Sequence, residues 1–250
     1  MSDYQAVILA AGLGMRLRPV LKGAPKGLIR IGGQSLVERS VGNLNYFGIH
    51  DITIVTGYRS ERYEDLWRGS DGIRLIQNDR FEDSSSMYSF YLARGVVDRP
   101  ILLLESDLIC EKRGIDRLLT SGLEDSVLLS GYTDAGDEVF VSETGGRITG
   151  ISKDPDARSG SIGEWVGITK LSLSLQEAMF DWAEEAFQTS KSLRFDYETD
   201  CIAHVAEGYP IGFDKVEDLA WSEVDDEDHL RRMESLVYPR IMENDRAYPG

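Results

Sequence analysis

Ala6-Val7-Ile8-Leu9-Ala10-Ala11 is an apolar run that breaks into Gly12-Leu13-Gly14-Met15-Arg16-Leu17-Arg18-Pro19, and Pro25-Lys26-Gly27-Leu28 follows closely. An unbroken apolar run ending at glycine reads as a buried strand that stops in a tight turn. Such a turn exposes backbone N–H groups that a phosphate can approach closely. Arg16 and Lys26 put two cations at the same place. A guanidinium makes bidentate bonds to phosphate, and an ammonium acts as a compact point charge. In a chain with a formal net charge of −16, this basic focus points to a nucleoside triphosphate.

Beyond this turn, strand-like runs alternate with amphipathic segments. Residues 35–47 space Leu36, Val37, Val41, Leu44 and Phe47 as one buried helical stripe. Residues 51–57 read as a strand, 61–67 as a helix, Ile73–Gln77 as a strand and 86–93 as a helix. Residues 100–105 form another buried strand, ending in Glu105-Ser106-Asp107. This order predicts an α/β fold: a Rossmann-like, doubly wound mixed sheet, mainly parallel, with helices on both faces. Ligands of such sheets sit beyond the carboxyl ends of the strands, where residues 12–18 and 105–107 would face one another.

The second half changes character. Residues 126–132, 139–143, 147–152 and 165–171 read as strands, with turns at Gly136 and Gly145-Gly146, and together predict a small antiparallel lid region. Helices are predicted over 175–188, 197–207 and 226–237, the last capped by Asp225 or Asp226. No repeat or long linker interrupts the chain. The expectation is a single domain over 1–250, with a nucleotide-binding half to about residue 110 and an acceptor-binding half after it.

The acidic balance disfavours nucleic acid as a partner, because its phosphates would meet mostly carboxylates. Cys110 and Cys201 lie far apart and fit a reducing compartment. The N-terminus lacks a basic n-region, and its apolar run is too short for a signal sequence or membrane span, so a cytoplasmic location without membrane contact is expected. His50, His204 and His229 do not neighbour a nucleophile motif, which leaves triad chemistry unsupported.

Rival glycine motifs fail. Leu17 stands where the dinucleotide fingerprint needs its third glycine, and no G-x-x-x-x-G-K-[ST] run occurs. What remains is L-A-A-G-x-G-x-R-L-R-P, five residues, then P-K. This resembles the nucleotidyltransferases of the sugar-nucleotide pyrophosphorylase type, nearest to the small bacterial phosphocholine cytidylyltransferases and related enzymes acting on phosphonates. Thr56-Gly57-Tyr58, Asn78, the segment 86–92 (SMYSFYL) and Trp221-Ser222-Glu223-Val224-Asp225 strengthen the resemblance, which spans roughly residues 5–235.

The resemblance implies a role for each matching position. Backbone groups of Leu9, Ala10, Ala11, Gly12 and Gly14 would hold the nucleotide, Arg16 would grip its phosphates, and Lys26 would bridge phosphates in the transition state. Gly57, Asn78 and Ser86 become candidates for the base pocket. Asp107 and Asp225 would hold Mg²⁺, for which hard oxygen ligands from separate strands are suited. Family members usually carry Asp or a small residue at the place of Glu105, leaving it either a metal water or the ribose; Glu223 has a comparable supporting claim. Lys153 matches a lysine that reaches the acceptor's phosphate.

Trp165 and Tyr197, with Glu164, Glu198 and Asp200, are the acceptor candidates, because aromatic faces and carboxylates suit an ammonium group. The implied partners are CTP and a small acceptor, phosphocholine or 2-aminoethylphosphonate, with pyrophosphate released by a monomer or homodimer. Alternatives are a sugar- or inositol-phosphate nucleotidyltransferase and a non-catalytic nucleotide-binding regulator.

Overall fold

The computed structural model describes residues 3–14, 17, 21 and 23–248. Strand β1 (Gln5–Ala10) is buried throughout and occupies the middle of the sheet. A small hairpin, β2 (Arg30–Ile31) and β3 (Gln34–Ser35), leads into helix α1 (Leu36–Tyr46). Ser35 and Glu38 cap that helix reciprocally: the Ser35 hydroxyl accepts from the Glu38 N–H, and the Glu38 carboxylate accepts from the Ser35 N–H. Strand β4 (Ile52–Thr56), helix α2 (Ser60–Trp67), strand β5 (Ile73–Gln77), helix α3 (Ser86–Leu92) and strand β6 (Ile101–Glu105) continue the alternation.

The second half supplies β7 (Leu108–Cys110), α4 (Lys112–Thr120), β8 (Ser126–Ser130), β9 (Phe140–Thr144), β10 (Arg147–Ser152), β11 (Gly163–Leu171) and α5 (Leu173–Ser190). Strands β12 (Gly212–Val216) and β13 (Trp221–Glu223) follow, then helices α6 (Glu227–Arg232) and α7 (Tyr238–Ala247).

Among the described residues nine strands join in one mixed sheet. Strands β6, β1, β4 and β5 run parallel. Strand β11 reverses direction and pairs antiparallel with β6, β8 and β9, and β12 extends the sheet parallel to β8. The β9–β10 hairpin branches from the start of β11, where the sequence predicts the antiparallel region.

Helices cover both faces because alternate residues of a strand point to opposite sides. Ala6, Ile8 and Ala10 pack in one core cluster with Val37, Leu44 and Leu118. Val7 and Leu9 pack in another with Met87, Phe90 and Met179.

Two helix predictions are corrected. Residues 197–207 contain a π-helical turn (Tyr197–Ile202) and a short α-helical piece (Ala203–Val205). The C-terminal helix does not end at residue 237: α6 passes through a π-helical turn (Met233–Val237) into α7. Pro239 stands in the first turn of α7, where its lack of an N–H is tolerated. Of the two cap candidates, Asp226 accepts from the Asp228 and His229 N–H groups.

Strands β7 and β13 form an antiparallel ladder of their own, pairing Glu223 with Leu108 and Trp221 with Cys110. A third core cluster, including Leu36, Ile109, Val224 and Met233, seats this ladder against the C-terminal helices. Cys110 and Cys201 are buried free thiols. Among the described residues no helix is long and apolar enough to cross a membrane.

Candidate active site

The β7–β13 ladder brings acids from distant parts of the chain together. Strand β6 ends at Glu105, the chain bends through Ser106-Asp107, and β7 begins at Leu108. The Val224 N–H donates to the Asp107 carbonyl at 3.0 Å, pinning the end of β13 to that bend. As a result, carboxylate oxygens of Glu105, Asp107 and Glu223 lie within 4.8 Å of one another. Oxygen donors at this spacing form a hard set of the kind a divalent cation takes.

Lys26 closes the arrangement from the other side. Its Nζ lies 2.6 Å from Asp107 Oδ2 and 2.5 Å from Asp225 Oδ1. The ammonium is thus a cation already standing between two acids expected to hold a metal. Burial disfavours its charge, but the two carboxylates outweigh burial and raise its pKa. Glu105 and Glu223 are pushed well above the ordinary carboxylate range, first by burial and then by neighbouring acids. For Glu105 the neighbours are Glu198, Asp107 and Glu223; for Glu223 they include Asp107, Asp137 and Asp225. A cluster in this state gains from an added cation.

The glycine turn borders the same cleft, a cavity of about 550 Å³ that Leu9, Ala10, Ala11, Gly12, Gly14 and Lys26 help to line. Gly14 has φ +54°, and a Cβ there would stand 2.7 Å from Lys26 Cγ. The second glycine of the motif therefore lets the Lys26 stem pass. Arg16 lies outside the described residues.

The base-pocket candidates divide. Asn78 and Ser86 line the cleft. Asn78 is fully buried and largely engaged: it donates to the Ser84 and Ser89 hydroxyls and accepts from the Arg80 N–H. The Ser86 hydroxyl accepts from the Tyr197 N–H. Gly57 is not in the wall. A Cβ on it would meet the Ala11 carbonyl at 2.7 Å and Phe81 Cβ at 2.6 Å, so its place is behind the glycine turn.

Trp165, Lys153 and Glu198 line the same cleft as Glu105. Lys153 Nζ is 3.0 Å from Glu198 Oε1 and 3.6 Å from Asp196 Oδ2. Burial opposes the Lys153 charge, and its acidic neighbours outweigh burial and raise the pKa. Gly167, at φ +79° in an irregular stretch of β11, keeps space open beside Glu105: a Cβ there would lie 3.4 Å from Glu105 Oε2.

Three acceptor candidates lie elsewhere. Tyr197 is wholly buried next to Trp165, with ring centroids 6.1 Å apart. Asp200 is exposed and accepts from the Asp196 N–H. Glu164 follows strand alternation: with its neighbour Trp165 in the cleft wall, it turns to the opposite side. There it accepts from the Thr133 N–H at 2.7 Å and from the Thr133 hydroxyl at 3.0 Å.

Those bonds anchor a segment that sequence reasoning missed. Gly136, Asp137, Glu138, Val139 and Phe140 line the cleft in the approach to β9. The segment is also tied to α6, with His229 Nδ1 3.1 Å from Asp137 Oδ2 and His229 Nε2 3.2 Å from the Ala135 carbonyl. In the sequence the turn at Gly136 and the strand from Val139 are visible, but not their place in the cleft wall.

Comparison with known proteins gives the chain's family and fold. Residues 6–160 match the MobA-like NTP transferase domain. The chain is 41% identical to the choline-phosphate cytidylyltransferase of Streptococcus pneumoniae over 90 residues, 36% of this chain and 39% of the relative. It is 31% identical to the 2-aminoethylphosphonate cytidylyltransferase of Lancefieldella rimae over 154 residues, 59% of this chain and 60% of the relative. The matched regions thus span less than two thirds of either relative. The solved inositol-1-phosphate CTP transferase from T. maritima superposes with a TM-score of 0.75 at 20% identity, covering 100% of this chain and 99% of that one. That likeness concerns the fold. The glycine turn, the parallel sheet edge and the matched residues lead to one conclusion: the chain belongs to the MobA-like NTP transferase domain family.

Proposed function

We propose that the protein is a Mg²⁺-dependent cytidylyltransferase that joins CMP to a small cationic phosphate or phosphonate acceptor and releases pyrophosphate. The observation that carries this reading is that the glycine turn, Lys26, Asp107, Glu223 and Asp225 line one cleft together with Lys153, Trp165 and Glu198. The two relatives that act on phosphocholine and 2-aminoethylphosphonate support the choice of CTP and acceptor class.

The chemistry needs no general base. A phosphate monoester has its second pKa near 6, so its oxygen is already an anionic nucleophile at neutral pH. That oxygen forms a bond to the α-phosphorus of CTP while the bond from the α-phosphorus to the bridging oxygen breaks, and pyrophosphate leaves with the electron pair. Two anions must be held in line against their mutual repulsion. Asp107 and Asp225, which share Lys26, with Glu223 and Glu105 adjoining Asp107, are the residues that would hold Mg²⁺. When bound, the ion supplies the positive charge that a cleft lined by so many carboxylates lacks. Lys26 neutralises the triphosphate from the glycine-turn side, and Lys153 supplies a second ammonium for the acceptor's phosphate.

The test is pyrophosphate release. With CTP, Mg²⁺ and a set of phosphorylated or phosphonate amines, turnover is expected and should exceed that with ATP, GTP or UTP. No release with any nucleotide, alongside tight CTP binding, would favour a non-catalytic regulator.

A further inference from the structure

Residues 132–139, which bring Asp137 and its neighbours into the cleft wall, form neither strand nor helix. No ladder holds them, so side-chain bonds must set their position. Glu164 takes the N–H and the hydroxyl of Thr133. The other ties come from helix α6.

His229 and Arg232 stand three residues apart and share one face of α6. Each reaches both the cleft wall and the acid-bearing end of β13. The buried His229 places Nε2 3.2 Å from the Ala135 carbonyl. Its Nδ1 lies 3.4 Å from the Asp225 backbone nitrogen and 3.1 Å from Asp137 Oδ2. The Arg232 guanidinium donates to the Thr133 carbonyl and to the Ser222 hydroxyl, both at 3.4 Å. Ser222 and Asp225 stand on either side of Glu223 in the sequence. Thr133, Ala135 and Asp137 line one cavity of about 10 Å³ together with Ser222, Glu223 and Arg232, so wall and strand lie almost in contact.

Apolar packing already seats this helix: Met233 belongs to the third core cluster and Leu230 packs against it. The two polar side chains add direction to that contact, because hydrogen bonds fix a geometry that apolar surfaces leave free.

We propose that His229 and Arg232 are positioning residues of the transfer reaction: α6 is a bracket that fixes the cleft wall at residues 133–137 relative to the acids Glu223 and Asp225. This rests on the cytidyl-transfer reading above. Neither residue is a metal ligand. His229 is the principal tie, since it reaches the backbone of Asp225 itself, and Arg232 is the lesser one. Losing a residue that orients a metal ligand from behind typically costs 10–100-fold in metal affinity or activity.

The test compares the whole protein with three variants. His229→Leu keeps bulk and removes both ring nitrogens, His229→Gln keeps a polar group near the place of Nε2, and Arg232→Met keeps the stem without the guanidinium. CTP is titrated calorimetrically with Mg²⁺ and with EDTA, and kcat and KM are measured for whichever acceptor the wild type uses. His229→Leu should lose at least about tenfold of the Mg²⁺-dependent gain in CTP affinity and of kcat, with acceptor KM within about twofold of wild type. Affinity in EDTA should stay as in the wild type. His229→Gln should recover most of the loss, and Arg232→Met should cost about threefold. A Leu variant with unchanged kcat and metal dependence, or with equal losses in Mg²⁺ and EDTA, overturns the proposal. Should that variant not fold, His229→Gln and Arg232→Met carry the same comparison.

Hydrogen exchange adds a readout that needs no ligand. His229→Leu, or His229→Gln in its place, should speed exchange at residues 133–137 and 222–225 together. If the wild type releases no pyrophosphate with any acceptor, the transfer reading fails and exchange decides the present inference. Faster exchange in both segments supports the bracket, and faster exchange in one alone or in neither overturns it.

Discussion

At the scale of single residues, Lys26 has two opposed relationships with cations. Its ammonium is the counterion of Asp107 and Asp225 at 2.6 and 2.5 Å, and it competes with any divalent ion that needs the same oxygens. Lys26→Ala is therefore expected to strengthen Mg²⁺ binding to the nucleotide-free protein by about tenfold or more, measured by calorimetry. The same change should lower pyrophosphate release by about 10²–10³, through loss of positive charge on the phosphates. Mg²⁺ affinity left unchanged would contradict the counterion role. Gly14 carries the same point into the backbone. Gly14→Ala combines a left-handed φ of +54° with a Cβ 2.7 Å from Lys26 Cγ. It should cost about 1–2 kcal/mol of stability in a urea titration and displace the lysine, with activity falling alongside.

At the scale of elements, β11 works on both sides of the sheet's edge. Trp165 enters the cleft, and Glu164 on the opposite side holds the segment that leads into β9. Burial raises the Glu164 carboxyl to about 7, against the opposing effect of its two Thr133 hydrogen bonds. An unfolded glutamate titrates at about 4.3, so the folded chain binds this proton more tightly. Its contribution to stability is complete below about pH 4 and is lost as the pH rises through about 7. Glu164→Gln keeps an acceptor and removes the charge. Relative to the parent, it should gain on the order of 3 kcal/mol between pH 5 and pH 8 in thermal or urea unfolding. A constant difference across that range would mean that Glu164 is not held protonated by the fold.

The same strand shows why some of the site escaped the sequence. Strand alternation separates Glu164 from Trp165, yet nothing in the residues themselves says which of the pair faces the ligand. Strands β7 and β13 have three residues each, too few for a periodic pattern, although their pairing brings Glu223 to Asp107. Asp137 depends on a tether to His229, a long-range contact without a local signal.

At the scale of the whole molecule, the parallel core was legible because its strands are long, apolar and separated by amphipathic helices. Strands β1 and β6 end side by side, so the glycine turn and Glu105–Asp107 had to emerge on one edge. Strand β12 was not foreseen: its residues, Gly-Phe-Asp-Lys-Val, alternate weakly, and its place depends on pairing with β8. The chain as a whole carries a net charge of −16, and among the described residues the cleft is lined by many more carboxylates than ammonium groups. A triphosphate entering such a cleft meets repulsion unless a divalent cation reverses the local sign. Calorimetric titration of CTP into the protein, once with Mg²⁺ and once with EDTA, tests this most directly. Binding should be at least about 100-fold weaker in EDTA, and Asp107→Asn should remove most of the difference. Equal affinity in the presence and absence of the metal would contradict the convergence of acids, cation and phosphates on which the proposed chemistry depends.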